Sequence, residues 1–454
     1  MFLIYWVIPS KFRNYFLLLA SYYFYYSYNP WFLLLLIGTS GFDYWCAQQI
    51  QKSQELKLKK LFLVLSLGSN LGVLFVFKYF VFFYNSSAEI LNLKLSLLNQ
   101  LIIPAGLSFY TFQSLSYTID VYRGKYKPND TLLDFLLFVS FFPHMVAGPI
   151  VRYKDLMPQL KIVSYFKNID WQGFATLCTW GYFKKLVIAD NLNLIVTPIF
   201  KDVSAFNGAE LLLGGFLFVI QVYCDFSGYS DIATGIAKLF NINLSLNWRR
   251  PLLSKSLREF WQRNHITITT WFRDYLYISL GGNKVSTRRW LFNIFMVFLI
   301  SGLWHGANFT FVIWGAMHGF FYLIEIMANK KFPDFKAPAF LGWLYLITFH
   351  TLTLIAFRAN NVLDLRLIYQ RIFSFHSNYF SFNTLLKYQD KFYFLFITLA
   401  MIILFFKEIN EEFAIINKYK TGYQCVKPLA YITFIILIFI LGNFSANTFI
   451  YFQF

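Results

Sequence analysis

Charged side chains are scarce in this sequence, and long stretches contain none. Only 14% of the 454 residues are Asp, Glu, Lys or Arg, whereas 57% are hydrophobic. Uncharged runs recur at 95–119, 135–151, 290–324, 340–357 and 428–454. A soluble domain of ordinary composition is therefore excluded. We predict an all-α, polytopic membrane protein with re-entrant segments, because isolated strands cannot satisfy their backbone hydrogen bonds in lipid.

The sequence also has no visible soluble domain, low-complexity linker or parallel internal repeat. We therefore predict a single integral membrane domain over 1–454. Dividing the apolar runs by about 20 residues for each span predicts roughly 9–12 membrane segments. Because the first residues lack a small-residue cleavage site, no removable signal peptide is expected.

Cysteine is rare, and its four positions (46, 178, 224 and 425) are scattered through apolar surroundings. Their spacing matches neither a disulfide framework nor a metal site, so we expect buried, unbridged side chains. The chain has no HExxH pair, GxSxG turn or phosphate-binding loop. No metal is predicted, and candidate chemistry must be sought among histidines that lie far apart in sequence.

Positive charge is concentrated in a few segments and gives a formal net charge of +18. Residues 51–60 hold four Lys against one Glu, and 249–289 hold nine Lys or Arg against two acidic residues. Such clusters mark cytosolic loops of membrane proteins. We predict that both segments face the cytosol, where the larger one meets lipid headgroups or a phosphorylated substrate rather than nucleic acid.

Two histidines interrupt the uncharged run 290–324. This run is too long for one upright span, and its Ser-Gly and His-Gly pairs at 301–302 and 305–306 predict a break. An imidazole at this depth is a functional candidate by default. His318 lies about 20 Å beyond His305 along a continuous helix, so the two share one site only if the chain turns. We assign function to His305 and packing to His318.

Residues 251–283 have the periodicity of an amphipathic helix at the cytosolic interface. The apolar face of that helix carries His265, and the opposite face carries charges. The residues predicted on the apolar face are Leu257, Trp261, Asn264, His265, Ile268, Phe272, Tyr275 and Leu276. On periodicity alone, His265 is either a functional group or a hydrogen-bonded packing residue of a lipid-surface helix.

Two further segments contain polar groups in apolar surroundings. Asp225 and Asp231 are six residues apart and do not share a helix face, so each carboxylate is expected to have a cationic or imidazole partner. His144 lies between two prolines in an irregular segment, where it either shapes a loop or lines a cavity.

Four segments together resemble the signatures of membrane-bound O-acyltransferases. They read "REFWQRNHITITTWFRDYLYISLGGN", "SGLWHGANFTFVIWGAMHG", "FFPHMVAGPIVRY" and "CDFSGYSDIA". The order of the segments is similar to that in the bacterial branch that O-acetylates alginate and peptidoglycan. The similarity begins in the N-terminal region and reaches about residue 358.

This resemblance implies a catalytic role for His305, with His265 as its partner in the active site. The family often has an aromatic residue where this chain has Asn264, which bears on acyl or acceptor specificity. A neutral, buried His305 would act as general base on an acceptor hydroxyl. Further substrate contacts are expected from Asp225, Trp261, Asn264 and Trp304. The phosphates of acetyl-CoA, a substrate and not a resident cofactor, are expected at Arg249, Arg250, Arg258 and Arg263.

The resemblance also implies a place in the bacterial inner membrane, a polysaccharide acceptor and a periplasmic partner of the SGNH-hydrolase type. Two alternatives stay open. Within the family, the enzyme could transfer D-alanine to teichoic acid. In a different class, a polysaccharide or lipid transporter or flippase would also have many spans, intramembrane polar residues and a basic cytosolic face.

Overall fold

A computed structural model describes most of the chain, and its regular structure within the described residues is helical, as predicted. His376 and the side chain of Cys425 lie outside the description, and for 420–428 only the backbone is described. The described residues are 1–84, 102–335, 337–375, 379–413 and 420–445.

The helices form two compact units. The first unit comprises residues 1–177 and 233–246, and the second comprises 178–232 and 247–454. The sequence predicts a single integral domain and contains no marker for this division.

The first unit contains helices whose ends carry local sequence signals. Asn29 Oδ1 accepts the backbone N–H of Trp31 at 2.9 Å, and Pro30 occupies the first helical position, which suits a residue without an N–H. Thr131 and Asp134 cap another helix reciprocally. The helices are α1 (Phe2–Val7), α2 (Arg13–Tyr26), α3 (Pro30–Lys52), α4 (Leu56–Leu74), α5 (Leu107–Tyr122), α6 (Leu132–Ser140), α7 (Phe142–Met145) and α8 (Tyr153–Lys161). The next helix, α9 (Trp171–Tyr182), contributes residues to both units.

A fully buried carboxylate lies inside the first unit. Asp43 on α3 accepts hydrogen bonds from Ser66 Oγ at 2.6 Å, from Asn70 Nδ2 at 2.8 Å and from the Ser114 hydroxyl. These donors offset the free energy that an unpaired buried carboxylate would cost. They therefore join α3, α4 and α5 through polar contacts inside the unit.

The second unit is built mainly from long helices. Its helices are α10 (Asp190–Lys201), α11 (Gly208–Lys238, shared with the first unit), α12 (Leu257–Arg263), α13 (Ile266–Trp271), α14 (Thr287–His305), α15 (Phe309–Lys331), α16 (Ala339–Arg358), α17 (Val362–Phe373), α18 (Leu385–Tyr388), α19 (Lys391–Phe413) and α20 (Lys420–Leu441). Wide helical turns of the π type occur at Phe183–Ala189 and Phe272–Tyr277. Such turns are rare in proteins overall, but those that occur are often found at functional sites.

Five helices among the described residues are long and apolar enough to cross a membrane. They are 56–84 (α4 with its π-type extension), α11, α15, α16 and α19. Two of the apolar runs, 95–119 and 428–454, lie partly outside the described residues. The estimate of 9–12 segments therefore stays a prediction.

The predicted break in the run 290–324 is confirmed. Helix α14 ends at His305, Gly306 is extended, and Asn308 Oδ1 accepts the Thr310 N–H at 3.1 Å to begin α15. The two helices then pack closely where Gly302 faces Gly315. A methyl group on Gly302 would lie 2.3 Å from the Phe311 carbonyl oxygen, so only glycine permits this approach. The chain therefore turns back on itself directly after His305.

The prediction of one amphipathic helix over 251–283 is wrong. Helix α12 ends at Arg263, and His265 adopts a left-handed conformation with φ of 44° before α13 begins. Asn247 decides this break, because its carbonyl oxygen accepts the Ile266 N–H at 2.8 Å and its side chain accepts the Thr267 N–H at 3.2 Å. These N–H groups would otherwise continue the helix. The inward direction of His265 is confirmed, since its side chain is buried.

Candidate active site

A cavity of about 690 Å³ lies within the second unit. Its wall is mostly aromatic and aliphatic, and four of the histidines contribute to it: His265, His305, His318 and His350. Among the described residues, no three His, Cys, Asp or Glu side chains lie together in a way that could hold a metal ion. The cavity thus brings four imidazoles from distant parts of the sequence into one apolar space. A mostly apolar pocket with a few polar groups is the usual form of a binding or catalytic site.

Asn247 orients the ring of His265. The Asn247 Oδ1 atom lies 3.1 Å from His265 Nδ1 and also accepts the Thr267 backbone N–H. Because that N–H is always a donor, it identifies the Asn247 atom as the oxygen, and His265 Nδ1 must donate to it. In a neutral imidazole the other nitrogen, Nε2, then carries the basic lone pair. Asn247 thus selects one tautomer of His265.

Packing around His265 reinforces this arrangement. The Trp248 ring stacks on the imidazole at a centroid distance of 5.5 Å and an angle of 29°. Burial lowers the pKa of His265 to about 3, because an imidazolium in this apolar environment would lose its hydration. The ring is therefore neutral near pH 7, as required of a base or a hydrogen-bond acceptor.

His305 enters the cavity at the C-terminal end of α14. Its ring packs edge-on against Trp304, Trp314 and Phe357, with centroid distances of 4.8, 5.1 and 5.2 Å. Ser301, one helical turn earlier, also lines the cavity. Because α14 ends at His305, this residue lies at a turn of the chain and not in the middle of a continuous helix. Its ring lines the cavity from that position.

His318 lies at the same cavity as His305, because the chain turns between them. Trp314 contacts both rings, at 5.1 Å from His305 and 4.6 Å from His318. His350 follows at 5.4 Å from His318. The condition under which the two histidines of this run share one site, a turn of the chain between them, is therefore met.

One face of α15 forms a long wall of the cavity. Trp314, His318, Tyr322 and Ile326 recur every four residues and all line it. At 1.5 Å per residue, this face extends for about 18 Å along the helix. Arg258 lies near its far end, since its backbone N–H donates to Glu325 Oε1 at 3.1 Å.

The cavity wall includes exposed polar residues besides the buried rings. Arg258, Gln262 and Arg273 line the cavity and are themselves exposed, so they mark where it opens to the surface. Two of these are cations, of which Arg273 donates from Nε to Asp274 Oδ1 at 2.7 Å, so Arg258 is the more available one. The opening therefore suits an anionic part of a ligand, whereas the interior suits an uncharged part.

Only some of the residues predicted to bind substrate line this cavity. Arg258, Trp261 and Asn264 do, together with His265 and His305. Within the described chain, the wall does not include Arg249, Arg250, Arg263, Asp225 or Trp304. Their roles in binding stay predictions, and several have other partners.

Carboxylates of α19 neutralise two of the predicted phosphate ligands. Glu412 accepts from Arg250 Nε and from Arg263 Nη2, each at 2.8 Å. Glu259 accepts from Arg263 as well, at 2.7 Å. A guanidinium held in this way is less available to an incoming phosphate. The contacts instead attach α19 to the segment that carries His265.

The expected cationic partners of the two aspartates are confirmed. Lys185 contacts Asp225 at 2.5 Å, and Lys184 contacts Asp231 at 2.7 Å. Both lysines lie on the wide turn at 183–189, and Lys184, Asp225 and Lys185 are mostly buried. These pairs connect that turn to α11 and explain how carboxylates are tolerated there.

Sequence reasoning missed several residues of the site and its support. His350 lies in the uncharged run 340–357 and could have been identified by the argument used for His305. Lys184 and Lys185 stand in an apolar segment and could have been matched to the two aspartates. Asn247 carried no local signal, because its role depends on where the chain returns beside 263–267.

The structure also gives the environment of His144 and of three of the four cysteines. His144 is fully buried in the first unit, where Gln113 Nε2 donates to its Nδ1 at 2.8 Å. Cys46, Cys178 and Cys224 are buried and unbridged, as expected.

Comparison with known proteins identifies the class to which this chain belongs. The sequence model of the membrane-bound O-acyltransferase family (MBOAT) matches residues 130–363, a range that contains His265 and His305. The chain belongs to this family. It is an integral membrane acyltransferase of the bacterial inner membrane. This finding decides for an enzyme over a transporter or flippase.

Individual relatives refine the class. The chain is 39% identical over 380 residues to a probable alginate O-acetylase of Pseudomonas aeruginosa, covering 82% of this chain and 72% of the relative. It is 36% identical over 379 residues to a peptidoglycan O-acetyltransferase of Helicobacter pylori, covering 76% and 71%. Similarity to a teichoic acid D-alanyltransferase of Bacillus subtilis is 26% over 271 residues, covering 56% and 67%. The relatives indicate an O-acetyltransferase.

Proposed function

We propose that this enzyme transfers the acetyl group of acetyl-CoA across the membrane toward a cell-surface polysaccharide, with His305 as general base for the hydroxyl that accepts it. One observation carries the proposal: His265 and His305 line one apolar cavity whose exposed wall includes Arg258 and Arg273. Because Arg273 is already paired with Asp274, Arg258 is the basic group at the opening that suits the phosphates of coenzyme A. Imidazoles inside suit proton transfer from an acceptor.

The reaction needs no covalent intermediate, because a thioester is already an activated acyl donor. The acceptor oxygen attacks the thioester carbonyl carbon while His305 takes the hydroxyl proton. The C–S bond then breaks, and the imidazolium returns that proton to the departing thiolate. Ester and free coenzyme A are the products, and the base is regenerated. Holding both substrates in one cavity provides much of the rate enhancement.

We assign His265 an orienting or polarising role beside His305. Its neutral ring, with Nδ1 donating to Asn247, presents a basic Nε2 to a donor group. This suits acceptance of a hydrogen bond from an N–H or O–H of a bound substrate other than the reacting hydroxyl, whose proton goes to His305. The left-handed backbone of His265 supports a functional role, since strained non-glycine residues of this kind concentrate at active sites and ligand-binding sites.

Acetyl transfer is favoured over D-alanyl transfer by the comparisons. The acetylating relatives are 35–39% identical to the chain, whereas the D-alanyltransferases are 26–29% identical over shorter stretches. The acceptors named for these relatives suggest an alginate- or peptidoglycan-type polymer. A periplasmic protein of the SGNH-hydrolase type is proposed to complete the transfer.

The test follows label from acetyl-CoA in membranes that contain the protein. The wild type should incorporate labelled acetyl groups into polymer, and His305→Gln should lower the rate by about 10²–10⁴-fold, the usual contribution of a positioned base. Protein level and membrane insertion should be unchanged. His144→Gln is a matched control, because this buried histidine belongs to the first unit. Full activity of a folded His305→Gln variant would exclude the proposed base.

A further inference from the structure

We infer that His318, Trp314 and Trp261 form a ligand-binding subsite for an uncharged amide or hydroxyl group on the path between the cavity opening and His305. The inference rests on the proposed function for the identity of the ligands. It assigns binding to His318, for which the sequence predicts only packing. The ligand class follows from the hydrogen-bonding groups that the three rings offer.

The first observation is a group of buried ring nitrogens. Neither ring nitrogen of His318 has a hydrogen-bond partner among the described residues, and the side chain is only 1% exposed. The same holds for the indole nitrogens of Trp261 and Trp314 within the described chain. Buried polar groups in proteins are nearly always paired, so three such rings in contact require an explanation.

The three rings lie together and line the cavity. His318 is 4.6 Å from Trp314 and 5.3 Å from Trp261, measured between ring centroids, and the two indoles are 6.1 Å apart. All three belong to the cavity wall. The nitrogens therefore define one place within the cavity.

The position of the subsite along the cavity follows from the spacing of residues on α15. His318 is one turn from Trp314, which contacts His305, and one turn from Tyr322, toward the end of the wall near Arg258. A ligand whose charged end is held at the opening would therefore pass His318 before it reaches His305. The subsite is thus separate from the residues that we assign to proton transfer.

The chemistry of the rings limits the ligand. An indole N–H only donates, and a neutral imidazole donates at one nitrogen and accepts at the other. The ligand must therefore offer an acceptor oxygen and a donor hydrogen, without a charge that this aromatic wall could not solvate. Amides and hydroxyls meet this requirement. The pantetheine arm of acetyl-CoA supplies the first, and a sugar acceptor supplies the second.

Substitution of His318 by Phe tests the subsite, because Phe keeps an aromatic ring and removes both nitrogens. Binding to the full-length protein in detergent would be measured for acetyl-CoA, an alginate oligosaccharide and a peptidoglycan disaccharide. We expect His318→Phe to weaken one of these probes by about tenfold, the effect of one or two lost neutral hydrogen bonds. A change for acetyl-CoA alone identifies the amide source, and a change for a saccharide alone identifies the hydroxyl source.

The control is Phe298→Leu, since Phe298 also lines the cavity and packs against His318 and Trp261 without a hydrogen-bonding group. This variant should leave binding of every probe within about twofold, a limit set by the small effect of a tolerated apolar replacement. Unchanged affinities in a folded His318→Phe variant, or equal losses in both variants, would overturn the subsite. So would absence of binding to the wild type. Failure of labelled acetyl transfer with His318-dependent binding intact would refute the proposed function alone.

Discussion

The role of Asn247 gives the sharpest prediction, because one oxygen of this side chain organises His265. That oxygen accepts from His265 Nδ1 at 3.1 Å, from the Thr267 N–H at 3.2 Å and from the Thr267 hydroxyl at 2.8 Å. Asn247 Nδ2 in turn donates to Ser230 Oγ at 3.1 Å. Asn247→Leu removes all of these contacts with little change in side-chain size.

The expected effect of Asn247→Leu on turnover exceeds the value of a single hydrogen bond. Loss of the acceptor leaves the His265 ring without its tautomer selection, so its basic nitrogen is no longer fixed. We expect kcat to fall by about 10²-fold, which corresponds to about 2.7 kcal/mol of transition-state stabilisation. The stranded donors should also lower stability by about 1–3 kcal/mol each.

The assay compares three variants by acetyl transfer from labelled acetyl-CoA and by thermal unfolding. Asn247→Asp keeps an acceptor oxygen for Nδ1 and should recover kcat to within about tenfold of wild type, a difference of about 1.4 kcal/mol. Thr267→Val removes one hydroxyl contact and should change kcat by less than about threefold, since His265 keeps its partner. If a folded Asn247→Leu variant keeps wild-type kcat while His265→Gln loses it, selection of the tautomer by Asn247 is refuted.

Three further predictions follow from the charges and the topology. The pKa of His265 is about 3 in the folded protein and near 6.5 when unfolded. Below pH 6.5 the unfolded chain therefore binds a proton that the folded protein does not, and the free energy of unfolding falls as the pH falls from 6.5 toward 3. Between pH 6.5 and 5 the loss is about 2 kcal/mol, and thermal unfolding of His265→Gln should show a weaker dependence on pH; equal slopes would contradict this. Arg258→Ala should raise the KM for acetyl-CoA by about tenfold. Arg249 is exposed and does not line the cavity, so Arg249→Ala should change this KM by less than about twofold. A larger effect of Arg249→Ala than of Arg258→Ala would indicate that Arg249 binds the phosphates. Cysteines introduced at Lys59 and Lys284 should react with an impermeant reagent from the same, cytosolic side, and labelling from opposite sides would refute the predicted topology.

Much of the fold could be predicted from composition and local signals. The scarcity of charge excludes a soluble domain, and the long apolar runs require helices, because lipid offers no partner for backbone groups. The break after His305 could be located from the length of its run and from the glycine at 306. These inferences depend on properties of single segments, which do not change with the rest of the fold.

The candidate site was only partly predictable. His305 and His265 were identified from their motifs, and the pairing of Asp225 and Asp231 with cations followed from the free energy of burying a carboxylate. The single helix over 251–283 was wrong, because Asn247 competes for the backbone N–H groups of that segment. Periodicity describes a helix face but does not register such competition from another part of the chain.

By itself, the sequence determined the helical membrane class, the chain break and the two histidine motifs. Only the tertiary structure decided that His318 and His350 share the cavity of His305, because their meeting depends on the turn after α14 and on close packing at Gly302. It also decided that Arg250 and Arg263 are held by Glu412, a residue far along the chain. Contacts between distant segments depend on how helices pack, and a local pattern of residues does not contain that information.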